Sequence, residues 1–240
     1  MKILAIDASG LVASVSIIND DKMVAEYTLN HTRNHSVTLL PLIDSIIEST
    51  ETDASEFDYI AVAGGPGSFT GLRIGASTAK GLAFAWKKPI VSVPTIDSLC
   101  YNVFGNSGII CPILDARRKQ TYTGIYRFVP AGDTYKLETI KEQCATDIES
   151  LIAELNEIGE KVTFLGDGVP VFKDIINEKL TCEKTFAPHH QSRQRASSVG
   201  MLAMEYIKEG KLEDTFSHRP IYLRETQAER ERKLREQSGN

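Results

Sequence analysis

The chain has 240 residues, 42% of them hydrophobic and 25% charged, with a net charge of −5. Those proportions exclude collagen-like, disordered and disulfide-scaffold chains, and the length suggests two domains of ordinary size. A pI near 5.6 argues against a domain whose main task is to grip phosphate backbones, because such domains are usually basic. Any nucleic-acid contact is therefore expected to be local or made through a partner.

The opening MKILAIDASG is too short an apolar run, and meets Asp7 too early, to be the apolar region of a signal peptide. No stretch approaches the roughly 18 apolar residues of a spanning helix. Cys100, Cys111, Cys144 and Cys182 are irregularly spaced with no CxxC, which reads as buried thiols of a reduced compartment. The expectation is a cytoplasmic protein that touches no membrane.

In chain order, Ile3–Ile6 is a strand ending at Asp7, followed by the turn-prone Ala8-Ser9-Gly10. Val12–Ile18 is a second strand, closed by the turn Asn19-Asp20-Asp21, and Met23–Leu29 a third. Ser36 is the expected N-cap of a helix over 36–49, where Leu39, Leu40, Leu42, Ile43, Ile46 and Ile47 cover an arc of roughly 160°. Phe57–Gly65 reads as a strand buried on both faces. It leads through GGPGSFTGLR into a second helix over 70–86, and Pro89–Val93 is the next strand. The order βββαβα, then β, is that of an RNase H-like half-domain of the actin and sugar-kinase (ASKHA) fold class.

Phe104–Gly108 is linker-like, and the pattern then returns. Ile109–Leu114 ends in Asp115, the turn Ala116-Arg117-Arg118-Lys119 follows, and Thr121–Phe128 alternates. The strand–Asp–turn–strand unit thus recurs about 105 residues later, the period of a duplicated domain rather than a solenoid. Further elements are expected as a strand at 135–142, a helix at 147–156, a strand at Val162–Leu165, a helix opened by Gly166-Asp167-Gly168, and a last helix at 197–208. The expected organisation is therefore α/β, a duplicated RNase H-like fold. It has an N-terminal domain at 1–104, a C-terminal domain at 105–227 and a charged tail at 228–240.

Asp7 and Asp115 occupy equivalent places, where ATP-using members of this fold class hold Mg²⁺ beside phosphate-binding hairpins. Such hairpins need small residues and free backbone N–H groups. Ala8-Ser9-Gly10 could supply them, but Arg117-Arg118-Lys119 departs from the pattern, so Asp7, Ser9 and Asp115 read as degenerate phosphate loops. The glycine-rich block is neither a Walker A loop nor a GxGxxG fingerprint, and reads as a tight turn capped by Ser68 or Thr70. His31 and His35 have the spacing of zinc ligands but lie in a loop with no third ligand in view. No metal, cofactor or catalytic residue is expected. Arg117, Arg118, Lys119, Arg193 and Arg195 could touch RNA phosphates, yet no aromatic stacking residues are interleaved with them.

The helix over 70–86 carries Gly71, Gly75, Ala79 and Ala83 at every fourth position and is apolar nearly all round. Together the two helices offer more apolar surface than one sheet can cover, which marks a protein partner. The expected partner interface is Leu39, Leu40, Ile43, Ile47, Gly71, Leu72, Gly75, Ala76, Ala79 and Leu82. The same patch could also pair two copies of the chain.

At these residues the chain resembles the bacterial TsaB (YeaZ) family. The likeness rests on MKILAIDAS, on Arg33-Asn34-His35-Ser36 with Leu39-Leu40-Pro41, and on GGPGSFTGLRIGASTAKGLA. It rests also on Leu114-Asp115-Ala116-Arg117 and on Pro220-Ile221-Tyr222-Leu223-Arg224. The glycine-rich block is shared in part with the catalytic paralogue TsaD, which follows it with an HxxxH metal motif. Here Val93–Leu99 contains no histidine. The resemblance implies a noncatalytic scaffold and dimerisation subunit for tRNA N6-threonylcarbamoyladenosine formation. It would bind a TsaD-like subunit, with a TsaE-like ATPase joining the assembly, a TsaC-like enzyme supplying the activated intermediate, and tRNA reached only through the complex. The alternatives are an ATP- or metal-dependent transferase or peptidase of the same fold, and a direct tRNA-binding module.

Overall fold

Ile3–Ile6 is apolar without alternation because sheet neighbours flank it and both of its faces are covered. The computed structural model describes residues 1–20, 22–31 and 34–224. Asp21 of the expected turn, Arg33 of the family-like RNHS and the tail at 228–240 lie outside them.

The first half contains β1 (Lys2–Asp7), β2 (Ala13–Asn19), β3 (Lys22–Leu29), α1 (His35–Ser49), β4 (Tyr59–Gly65), α2 (Phe69–Trp86), β5 (Ile90–Pro94) and α3 (Thr95–Cys100). Its sheet runs β3-β2-β1-β4-β5, with β1–β3 an antiparallel meander and β1, β4 and β5 parallel. The second half contains β6 (Ile109–Asp115), β7 (Gln120–Ala131), β8 (Thr134–Asp147), α4 (Ile148–Ile158), β9 (Val162–Leu165), α5 (Val169–Lys179), β10 (Lys184–Phe186) and α6 (Ala196–Lys208). Taken from its meander edge, that sheet runs β8-β7-β6-β9-β10. Both halves therefore share one strand order, and the fold is a duplicated RNase H-like α/β fold.

Local chemistry sets the element ends. Asn34, not the expected Ser36, caps α1, and its side-chain oxygen accepts the Ser36 N–H at 3.1 Å. Ser68 caps α2 through the Gly71 N–H. Asp147 caps α4, which ends at Gly159 in the left-handed conformation. Phe57 precedes β4 rather than opening it, and stacks on Trp86 with ring centroids 5.5 Å apart.

Three cores follow. Leu4, Ile6, Val15 and Ile17 meet Leu39, Ile43, Ile46, Ala79 and Ala83 between the first sheet and α1/α2. Ile109, Cys111 and Phe164 meet Leu151, Leu155 and Ile176 under α4/α5. The central core joins the halves, bringing Ile3, Ala5 and Val93 together with Ile96, Leu99, Tyr126, Leu165, Val199 and Ala203.

The segment expected as one C-terminal domain, 105–227, sends its last helix back to the first sheet. Gly200 of α6 lies against Ala5 and Ile18, where a Cβ would not fit. The start of α6 is held by the same sheet: Ser14 Oγ accepts the Ala196 N–H at 3.0 Å, and Glu26 accepts from the Ser197 N–H at 2.9 Å and pairs with Arg195. In return α3 reaches the second sheet, where Tyr126 donates to Asp97 at 2.7 Å. Among the described residues no helix is long and apolar enough to cross a membrane.

Candidate functional site

The outer surface of α1 and α2 and the cleft between the halves hold the residues singled out in the sequence. On α1, Leu39 and Ile43 are 1% exposed and point into the first core, so they are not surface residues. Leu40 faces outward at 49% exposed, and Ile47 is half-buried. On α2, Leu72, Ala76 and Ala79 are buried and Leu82 is half-buried against the core. Gly71 and Gly75 face the chain's own first hairpin: a Cβ at 71 would overlap the Ala8 carbonyl oxygen, and one at 75 would sit 3.6 Å from the Ala8 Cβ. The expected small-residue ridge therefore lets α2 approach its own sheet. Its correction is one step round the helix.

The outward side of α2 carries a second small-residue row, Ser77, Gly81 and Ala85, with open space at the Gly81 Cβ position. Two exposed apolar side chains lie outside the expected interface set, Phe84 at 69% on the same face of α2 and Val37 at 64% on α1. Val37 stands three residues before Leu40 and seven before Asp44, so helical spacing from Leu40 would have found it.

The interdomain cleft, about 810 Å³ in volume, is walled by Ser9–Leu11 and Pro66–Phe69 on one side and by Asp115–Arg117, Asp167 and Arg193 on the other. Asp7 is buried, and its Oδ1 accepts from the Ser9 N–H at 2.8 Å and the Ser9 hydroxyl at 2.7 Å. Burial lifts its carboxyl to about 6 even though the Ser9 hydrogen bonds lower it. Asp115 accepts the Arg117 N–H at 2.8 Å and pairs with the Arg117 guanidinium at 3.3 Å, while its own N–H donates to Asp167. Both hairpin aspartates thus bond first within their own hairpins. His35 does not face His31 across a helix: its Nε2 lies 2.8 Å from the Gly10 carbonyl oxygen. Among the described residues no three His, Cys, Asp or Glu side chains converge on one point.

The glycine-rich loop spends its amides and its space on the chain itself. The Ser68 N–H donates to Ser9 O at 2.7 Å, and a Cβ at Gly67 would overlap that same oxygen. Gly65 has φ +115°, and a Cβ there would meet the Ile221 carbonyl. Ile221 belongs to a strap, 220–224, that crosses the cleft. Its N–H donates to Gly64 O at 2.7 Å, Tyr222 packs on Phe69 with centroids 5.0 Å apart, and Arg224 donates to Ala116 O.

A family model for TsaD, tRNA N6-adenosine threonylcarbamoyltransferase, matches residues 22–232. The "tRNA threonylcarbamoyladenosine biosynthesis protein TsaB" of Bacillus subtilis is 33% identical over 95% of this chain and 96% of its own length. The chain belongs to the TsaB family. The TsaB protein of Escherichia coli is 28% identical over 93% of this chain and 95% of its own. Likeness to the TsaD transferases is more partial: that of Syntrophobacter fumaroxidans is 29% identical over 53% of this chain and 38% of its own. The TsaB-type fold recurs in "YeaZ from Pseudomonas aeruginosa", with TM-score 0.74, 22% identity and coverage of 92% of this chain and 99% of that one.

Proposed function

We propose that the protein is the noncatalytic partner subunit of an assembly that makes threonylcarbamoyladenosine in tRNA, and that it seats a TsaD-like catalytic subunit on the outer faces of α1 and α2. The observation that carries this reading is the exposed apolar pair Val37 and Leu40 on α1 and, on α2, Phe84 on the same helix face as the open row Ser77, Gly81 and Ala85. Large apolar side chains next to a smooth helix surface suit close packing of another helix. The two hairpin aspartates, each bonded within its own hairpin, support a supporting rather than a catalytic role. A TsaE-like ATPase joins the assembly in this reading, tRNA is its substrate in the cytoplasm, and two copies pair through the same faces when the catalytic subunit is absent.

The test places a charge at an outward residue of each helix. Leu40→Asp is expected to leave a folded monomer that no longer binds the TsaD-like subunit by calorimetry and no longer supports modification in a reconstituted assay. Full affinity and activity in both Leu40→Asp and Phe84→Asp would overturn the reading.

A further inference from the structure

The turn between β6 and β7 places three cations side by side at the mouth of the cleft. Arg117, Arg118 and Lys119 have φ of 64°, 56° and 60°, three consecutive residues in the left-handed region with no glycine among them. Side chains avoid that region because Cβ crowds the following carbonyl, so the turn must be imposed by its surroundings. Those surroundings are on hand: the Ala116 N–H donates to Gln120 O at 3.0 Å, the Gln120 N–H to Arg117 O at 3.1 Å, and Arg224 of the strap to Ala116 O. Strained backbone of this kind concentrates where a side-chain presentation matters.

All three side chains are exposed. Arg117 has Asp115 as an ion-pair partner, whereas Arg118 and Lys119 form no ion pair or side-chain hydrogen bond among the described residues. Arg193 lines the same cleft, and its Nη1 is buried without a hydrogen-bond partner. Asp167 on the same wall feels the charge of Arg193 and Arg117 but accepts no hydrogen bond from this nitrogen, which leaves one donor for an anion from outside. Arg117, Arg118, Lys119, Arg193 and Arg224 outnumber Asp115 and Asp167 here, a local reversal of sign in a chain of net charge −5.

We propose that the Arg117–Lys119 turn, together with Arg193, is the protein's contact for RNA phosphates. RNA suits the site better than an acidic polypeptide for two reasons. Arginine forks match phosphate oxygens in pairs, and the fold brings Tyr222 from the far end of the chain to the mouth that Tyr122, three residues after Lys119, already lines. Tyr222 is 41% exposed, and aromatic faces beside cations are what unstacked bases use. The contact also explains how an acidic chain touches RNA: through one turn, within the assembly. The proposal rests on the partner reading above only for the identity of the RNA.

The test is Arg118→Glu combined with Lys119→Glu in the full chain, assembled with its TsaD-like subunit and titrated with substrate tRNA between about 50 and 200 mM salt. Each lost phosphate contact lowers the slope of log affinity against log salt by about 1. The double variant is therefore expected to show a slope shallower by about 2 and a KM for tRNA about tenfold higher or more. Its kcat should stay within about twofold and its affinity for the catalytic subunit should be unchanged, while Arg118→Lys retains wild-type behaviour. An unchanged KM and slope in an active assembly overturns the proposal. So does weakened subunit binding with an unchanged salt slope, which would make the turn a protein contact. Should the wild-type chain fail to bind the catalytic subunit, the partner reading falls, and the same titration of the chain alone against a labelled anticodon stem-loop decides this one. An equal slope in wild type and double variant there overturns it.

Discussion

The helix pair α1/α2 and the helix pair α4/α5 lie over equivalent sheets in equivalent places, yet they meet solvent differently. The outer side of α4/α5 carries Glu149, Ala153, Glu157, Lys173, Asp174 and Lys179, with one exposed apolar side chain, Val171, and with Lys179 and Glu149 paired at 3.0 Å. That is an ordinary solvated surface. The outer side of α1/α2 carries Val37 and Leu40 on α1 and Phe84 with the small row Ser77, Gly81 and Ala85 on α2, among the charged Asp44, Glu48 and Arg73. Duplication supplied the same scaffold twice, so the difference in surface is not a requirement of folding. It points to what one half binds and the other does not.

The largest effect should come from breaking that difference with charge. Leu40→Asp is expected to weaken binding of the TsaD-like subunit by about 3–5 kcal/mol, the cost of an unpaired charge in an interface. Ala153→Asp on the exposed side of α4 should change binding by less than about 0.5 kcal/mol. Ile43→Asp, aimed into the first core, should instead unfold the protein, as circular dichroism would show. Equal losses from Leu40→Asp and Ala153→Asp would erase the contrast between the two helix pairs.

A second effect separates the two hairpins by pH. Asp7 ionises near 6 in the folded state against 3.8 when unperturbed, so the folded chain holds its proton more tightly than the unfolded chain. The stability this contributes is fully present below about pH 3.8 and is lost as pH rises through about 6, a change of about 3 kcal/mol at most. Urea melts at several pH values should show it. Asp7→Asn should flatten the profile over that window, and an unaltered profile would contradict it.

A third measurement sharpens the crossing of the last helix. Glu26 of β3 holds the Ser197 N–H and hydroxyl and the Arg195 guanidinium at the start of α6. Glu26→Ala should cost about 2–3 kcal/mol by chemical denaturation, as expected for lost hydrogen bonds to a charged group, with hydrogen exchange rising first in α6. The smallest effect belongs to Gly81 in the outer small-residue row of α2, and the inner row contrasts with it. Gly81→Ala has open space and should stabilise the isolated chain by up to about 1 kcal/mol while weakening partner binding. Gly71→Ala should destabilise it, because Ala8 stands in the way.

Much of this organisation was readable in the residues. Val162–Leu165 is a strand with the bounds its β-forming Val-Thr-Phe-Leu run suggests, and the recurrence of strand, aspartate and turn revealed the duplication. Two elements carried no such signal. Helix α3 is buried nearly all along, so Thr95–Cys100 shows no polar face to set a period, and β10 is only Lys-Thr-Phe. The partner face was half legible. Periodicity shows which residues share a face, but not which face meets the chain's own sheet. On α2 two rows of small residues, Gly71-Gly75-Ala79-Ala83 and Ser77-Gly81-Ala85, compete on equal terms. Only the approach of Ala8 decides between them. The basic turn was a named candidate for RNA phosphates, but its meeting with Tyr222 and Arg224 was not legible, because those residues come from a remote part of the chain.

The strap across the cleft has a mechanical consequence. Two-lobed folds of this kind ordinarily change the angle between their lobes when the gap between them fills or empties. Here the strap is anchored to the first lobe twice, by the Ile221 N–H on Gly64 O and by Tyr222 on Phe69, and to the second lobe through the Arg224 side chain on Ala116 O. Spreading the lobes along the strap therefore breaks that one side-chain attachment, while the core that α3 and α6 build between the halves opposes the same movement. The strap acts as a tether across the cleft, and the shared core sets how far its two walls part.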